Sequence, residues 1–397
     1  GVTIWDLDNT PYADMSIGGI GANILGYCDP DVDAAVLEAV KNGSSSSLNC
    51  YEDVELAQLL CDLHPWSDMV RYARTGGEAM AVAVRIARAH TSKDIVAFCG
   101  YHGWHDWYLA ANLNADSALD GHLIPGLSPA GVPRGLEGTS FPFTYNRLEE
   151  LELIVQQHGR HLGAIVMEPL RNFNPDPEFI AGVRNAADQT GAVLIVDEIS
   201  AGFRFNTGGA HLKFFQPDCM PDIAVFSKAL GNGYPIAAVI GKGSVMESAQ
   251  DTFISSTYWT ERIGPAAAIA MIKKHRRIDA GSHLEAIGDN VQKGWRDIAR
   301  QHGFDIEISG IKQMTHFSFQ HEKAMSLKAY FIQEMLDLGF LASNTFYAMA
   351  AHTRNHVQKY IRAADDVFGR MRKELDTENL EKKLRGQLPK QGFKRIA

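Results

Sequence analysis

Apolar positions in this chain fall into short continuous runs separated by stretches with helical spacing. Runs over 70–73, 95–99, 164–167, 192–196, 223–226 and 236–240 are mostly apolar and do not alternate with polar residues. Such runs predict strands covered on both faces, as in α/β proteins with a parallel sheet. Between them, 77–90 places Met80, Val84 and Ala87 on one stripe, and 179–189 reads as a second helix. The opening, 2–47, is rich in glycine and turn residues, and 48–63 reads as a helix. After about residue 274 the pattern changes to a long polar helix over 282–302, short strands over 305–308 and 314–319, and helices over 325–338 and 354–375. The expectation is an α/β large domain with a mostly parallel sheet over 61–274. A smaller α+β domain over 275–397 follows it, and an N-terminal segment over 1–60 precedes it.

Length agrees with that division, because 397 residues exceed what a single core normally serves. Hydrophobic residues make up 45% and charged residues 21%, as in ordinary globular proteins. A net charge of −9 argues against nucleic acid or an anionic membrane as the main partner. No apolar run approaches the roughly 18 residues of a membrane span, and 1–8 shows no secretory signal. The cysteines (Cys28, Cys50, Cys61, Cys99 and Cys219) are odd in number and widely spaced, which reads as reduced thiols of a cytoplasmic protein. The charged, basic stretch 378–397 reads as a solvated helix and tail.

Chemistry concentrates where apolar runs end. One ends in Val196-Asp197-Glu198-Ile199, another in Phe226-Ser227-Lys228. Ligands of parallel sheets bind at the carboxyl ends of the strands. A lysine there is costly unless used, and Schiff-base formation is one use. Taken singly, Asp197 and Lys228 also fit an ordinary ion pair. Arg74-Thr75-Gly76-Gly77-Glu78 lies between a strand and a helix, where glycines let the first helical amides approach a phosphate. Gly100-Tyr101-His102-Gly103-Trp104-His105-Asp106 follows another strand and offers an aromatic ring to stack on a flat ligand. His102, His105 and Asp106 lack the companions of a zinc site, so no metal is expected. Glu168 ends a further strand. Asp6-Leu7-Asp8-Asn9-Thr10 fits the nucleophile motif of haloacid-dehalogenase-type phosphatases, yet a hairpin turn explains it equally well and no strand–helix unit follows.

In this order, the segments resemble the class III aminotransferases, pyridoxal 5'-phosphate (PLP) enzymes of fold type I, and look closest to the glutamate-1-semialdehyde aminomutase subgroup. Thr75-Gly76-Gly77-Glu78-Ala79 matches the family's phosphate loop and Tyr101-His102-Gly103 its cofactor-stacking turn. Glu168-Pro169 and Asp197-Glu198-Ile199 match the family's acids, and Lys228 before Gly231-Asn232-Gly233 matches its imine lysine. Residues 128–133 and Tyr145-Asn146 resemble the aminomutase subgroup in particular. The resemblance implies PLP as cofactor, with Lys228 and Asp197 catalytic. It implies that Thr75, Gly76, Gly77, Tyr101, His102, Glu168 and Ile199 bind the cofactor. It also implies a homodimer in which Thr260 (Thr257 as runner-up) reaches the partner's phosphate, with 1–60 helping to cover the active site. Two departures stand out. Gly77 replaces the family's loop threonine, and 259–265 is larger and more charged than the family's small-residue loop.

The implied reaction moves an amino group from an amino compound to a carbonyl acceptor, Lys228 acting as general base and Asp197 holding the ring nitrogen protonated. An intramolecular 2,1-aminomutase would use the same residues, and a non-catalytic protein of the same fold would not need Lys228. Arg171, Arg204 and Arg262 are candidates for gripping a substrate carboxylate or phosphate.

Overall fold

The computed structural model describes residues 1–115, 117–122, 124–170 and 173–388. Arg171 and the end of the basic tail therefore lie outside the described residues. Two compact units emerge among the described residues, one formed by Asp31–Lys273 and the other by Gly1–Pro30 with 274–388. Residues 31–60 belong to the first of these, whereas the sequence pattern grouped them with the N-terminal segment.

The Asp31–Lys273 unit is built on a seven-stranded sheet. Its spatial order is Met69–Ala73, Ala237–Gly241, Ile223–Phe226, Val193–Asp197, Leu162–Met167, Ile95–Cys99 and Ser140–Pro142. Ala237–Gly241 runs antiparallel to both of its neighbours, and the remaining neighbour pairs are parallel. The central strands have no exposed face, which explains their unbroken apolar runs. Successive side chains point to opposite faces. Ala164, Val166, Val193 and Ile195 enter one core, while Ile165, Met167, Leu194 and Val196 enter the other.

Helix Gly76–Thr91 covers the first face with Met80, Ala83, Val84 and Ala87. It starts in a Thr75/Glu78 capping box. Helix Pro177–Thr190 covers the second face with Phe179, Ile180 and Val183. Proline at its start, the Asp176 side chain accepting from Glu178 N (3.3 Å) and Gly191 in the left-handed region (φ 64°) fix its ends.

The other unit carries two small sheets. Thr3–Trp5 and Pro11–Met15 form an antiparallel hairpin joined in parallel by Phe340–Ala342. Ile306–Ile311, Met314–Phe319 and Thr345–Tyr347 form the second. Helices Ala280–Gln301, Ala324–Asp337 and Arg354–Asp376 contribute Trp295, Phe331 and Phe368, which form an aromatic core with Phe317 of strand Met314–Phe319. Within it the Trp295 indole donates to the Tyr360 hydroxyl (2.9 Å). The α/β expectation with a smaller α+β part holds. The early strands and helix Pro30–Lys41 lie where the sequence had shown only turn-rich chain. No helix among the described residues is long and apolar enough to cross a membrane.

Candidate functional site

Strands Ile95–Cys99, Leu162–Met167, Val193–Asp197 and Ile223–Phe226 run the same way, so their carboxyl ends share one edge. Met69–Ala73 is antiparallel to a strand that is itself antiparallel to Ile223–Phe226, which brings Ala73 to that edge as well. The segments singled out in the sequence therefore converge. Around a cavity of about 180 Å³ stand Gly76 and Gly77 from the helix start and Tyr101 and His102 from the turn after Cys99. Asp197 and Ile199 come from the next strand end, and Lys228 faces them.

Lys228 sits in the left-handed backbone region (φ 44°) directly after its strand. A non-glycine residue held there costs on the order of 1–3 kcal/mol, and such strain concentrates at functional sites. Its amine donates to Ser200 Oγ at 2.8 Å. Burial pushes the amine below its ordinary pKa and outweighs the opposing pull of Asp197, while Arg204 adds to the lowering. An amine so placed is readied to act as a nucleophile or base.

Asp197 is 3% exposed and fully engaged. Its Oδ1 accepts from Ile199 N at 2.9 Å, and its Oδ2 lies 2.7 Å from His102 Nδ1. His102 Nε2 meets the Cys99 carbonyl at 3.0 Å. A carbonyl only accepts, so Nε2 is the donor there, and the ring ties Asp197 to the Cys99 backbone. His102 therefore braces the carboxylate from behind while Asp197 lines the cavity.

Glycine is required twice at this edge. A Cβ on Gly100 (φ +115°) would stand 2.4 Å from Glu168 Oε2, and one on Gly76 would stand 2.8 Å from Ile199 Cδ1. Glu168 thus fills the space under Gly100 and accepts from Tyr101 N at 3.3 Å, which fixes the turn that carries Tyr101 and His102. Burial first, and the Asp197 charge second, push the Tyr101 phenol above its ordinary pKa.

A second buried network supports the strand end from below. Glu198 Oε1 accepts from His211 N (2.8 Å) and Nδ1 (2.6 Å), and Trp66 Nε1 donates to His211 Nε2 (3.0 Å). His64 stacks against His211 with ring centroids 5.4 Å apart, accepts from Gly209 N at 3.0 Å and donates to the Leu60 carbonyl at 2.8 Å. Burial drives the His64 imidazole down to about 3.

The remaining candidates divide. Thr75 caps the helix beside the cavity. Thr260 is not among the residues lining its own chain's cavity; it donates to the Ser46 carbonyl and lies 3.3 Å from Ser45 Oγ. Arg262 makes a two-pronged pair with Glu52 (2.7 and 3.0 Å). Arg204 is 1% exposed, its Nε donating to the Ser200 carbonyl at 3.3 Å. Asp6 belongs to the N-terminal hairpin, where its Oδ1 accepts from Asp8 N (2.9 Å) and Thr10 N (2.8 Å), so the turn explains that motif. Ser227 and Trp104, quoted in the motifs but given no role of their own, and Ser200, which sequence reasoning passed over, also line the cavity. Ser200 follows Ile199 directly, but nothing local tells that its hydroxyl meets a lysine from another strand.

A family model described as Aminotransferase class-III matches residues 1–354. The chain is 33% identical to a glutamate-1-semialdehyde 2,1-aminomutase of Dechloromonas aromatica (strain RCB), an alignment covering 94% of this chain and 90% of that protein. It is 31% identical to a 3-aminobutyryl-CoA aminotransferase of Cloacimonas acidaminovorans (strain Evry), covering 82% and 75% respectively. Among solved structures, the FumI protein of Sphingopyxis sp. MTA144 superposes with a TM-score of 0.85 at 24% identity, covering 95% of this chain and 88% of that one.

Proposed function

The chain belongs to the class-III aminotransferase family, and from that premise we propose that Lys228 is the residue through which this PLP-dependent enzyme holds its cofactor and moves an amino group from an amino compound to a carbonyl acceptor. The observation that carries this assignment is the Lys228 amine, lowered by burial and facing a cavity that also presents Asp197 and a glycine-rich helix start.

The residues present fit the group. Gly76 and Gly77 open the first amides of helix Gly76–Thr91 toward an anion. Tyr101 and Ile199 offer an aromatic and a branched side chain to a planar ring. Asp197, braced by His102, supplies a carboxylate for a protonated ring nitrogen. When bound, PLP supplies the aldehyde that captures amino groups and the ring that draws electrons from the carbon bearing them. Lys228 Nζ, once released, takes the proton from that carbon and returns it. Ser200 holds the amine between these tasks.

Thr260, absent from the lining of its own chain's cavity, and the exposed apolar side chains Leu48 (77%), Tyr51 (72%) and Phe253 (84%) favour a homodimer in which the threonine serves the partner's phosphate. Five free cysteines suit a cytoplasmic location.

Borohydride reduction of the PLP-loaded protein, followed by peptide mass mapping, tests the central assignment. The cofactor adduct is expected on Lys228, and Lys228→Ala is expected to lose both adduct and turnover. An adduct on another lysine, or turnover retained by the variant, refutes it. The similarity to the 2,1-aminomutase supports a second reading, the intramolecular transfer. A rearranged product formed without any added acceptor would favour that reading.

A further inference from the structure

Gly77 has no side chain, and the imidazole of His105 lies tight against the point a Cβ would take. His105 Cδ2 lies 3.0 Å and Nε2 3.3 Å from that point, with Trp104 Nε1 4.0 Å away. The approach is close on both sides, because a Cβ on Gly103 (φ +99°) would stand 3.1 Å from Gly77 Cα. The two loops therefore meet glycine to glycine, and the imidazole is laid along the seam. Trp104 stacks on it with ring centroids 4.7 Å apart at 30°, which fixes the plane of the ring. Among the described residues the His105 ring takes no hydrogen bond.

Gly76 and Gly77 are the first two residues of a 16-residue helix. Their amides have no carbonyl one turn back to bond, and they carry the positive end of the helix. The amides just before them are already satisfied, since Glu78 Oε2 accepts from Arg74 N (2.8 Å) and Thr75 N (3.4 Å). Gly77 and Trp104 line the same cavity as Lys228, and His105 lies just behind them, against both.

We propose that His105, through Nε2, is a ligand of the cofactor phosphate, supplying from across the seam the side-chain donor that glycine at 77 cannot. The assignment rests on the reading that the Lys228 cavity holds PLP. A Cβ at 77 would press on the imidazole and shift it, so the glycine and the histidine form one device.

The test compares apoprotein binding of PLP with that of pyridoxal, which has the same aldehyde and no phosphate, both followed by cofactor absorbance. His105→Ala is expected to weaken PLP about tenfold or more while leaving pyridoxal within about twofold, as for loss of one hydrogen bond to a charged group. His105→Gln, whose amide can still donate, is expected to recover most of the PLP affinity. Inorganic phosphate is expected to compete with PLP for the wild-type apoprotein more strongly than for His105→Gln, and for that variant more strongly than for His105→Ala. If His105→Ala fails to fold, the glutamine variant and the phosphate competition decide. Equal weakening of PLP and pyridoxal, or no weakening of either, overturns the proposal and leaves His105 as packing on Gly77. A wild-type protein that shows no cofactor absorbance at all overturns the Lys228 reading instead.

Discussion

Acid should weaken the sheet-bearing unit through one buried imidazole, His64. In the folded chain its Nε2 must keep a lone pair, because Gly209 N donates to it at 3.0 Å. Burial lowers the group from 6.5 to about 3. The folded state therefore prefers the neutral form, and the stabilisation is complete above the unfolded value of 6.5 and declines as pH falls toward about 3. Between pH 7 and pH 5 the unfolded chain gains about 0.7 of a proton at this position and the folded chain almost none. Over the roughly 1.5 pH units below the unfolded pKa, at about 1.4 kcal/mol per unit, the loss is about 2 kcal/mol. Urea unfolding at pH 7 and pH 5, with cofactor saturation held equal, measures it. His64→Gln is expected to start less stable at pH 7 but to lose about 2 kcal/mol less than wild type on acidification. Other titrating groups, among them His352 (lowered to about 4 by its own burial), act equally in both proteins and cancel. Identical pH dependence in the two proteins would show that His64 is not held neutral, and the hydrogen-bond assignment at Gly209 would fall with it.

Asp197→Asn keeps the shape and the contacts to His102 and Ile199 but removes the charge, and single-turnover amino transfer should slow by about a hundredfold or more; an unimpaired rate would detach Asp197 from the chemistry. Ser200→Ala removes the oxygen that accepts from the Lys228 amine, and an acceptor favours the charged amine. The pH profile of Lys228 acetylation in the apoprotein should therefore move to lower pH, and an unmoved profile would show that Ser200 does not set the amine. Gly288→Ala would place a Cβ 1.7 Å from the Lys312 carbonyl oxygen, a backbone atom that cannot swing aside. Thermal or urea unfolding should report a loss of about 3 kcal/mol or more, whereas a near-neutral effect would mean that helix and loop are not packed this closely.

Local patterns carried the central strands. Leu162–Met167, Val193–Asp197 and Ile223–Phe226 are unbroken apolar runs because both their faces are covered, and a run of that kind is visible without any partner. Ser140–Pro142 was not visible. It has three residues, lies at the sheet edge and, among the described residues, pairs only with Ile95–Cys99. Pro11–Met15 was missed for a related reason, since the hairpin turn before it is legible but one of its partners, Phe340–Ala342, comes from more than 300 residues later.

By itself, the sequence determined which residues sit at strand ends and helix starts, because alternation, capping and glycine tolerance act over a few neighbouring residues. That was enough to bring forward Lys228, Asp197 and the Gly76-Gly77 turn. Tertiary structure alone decided what each side chain faces. It set Ser200 against the Lys228 amine, His102 behind Asp197, His105 over Gly77, and the arginine of Arg262 into a pair with Glu52 rather than an open pocket. Such contacts follow from strand order and the direction of loops after the last paired residue, and those are fixed by packing between segments that the chain places far apart.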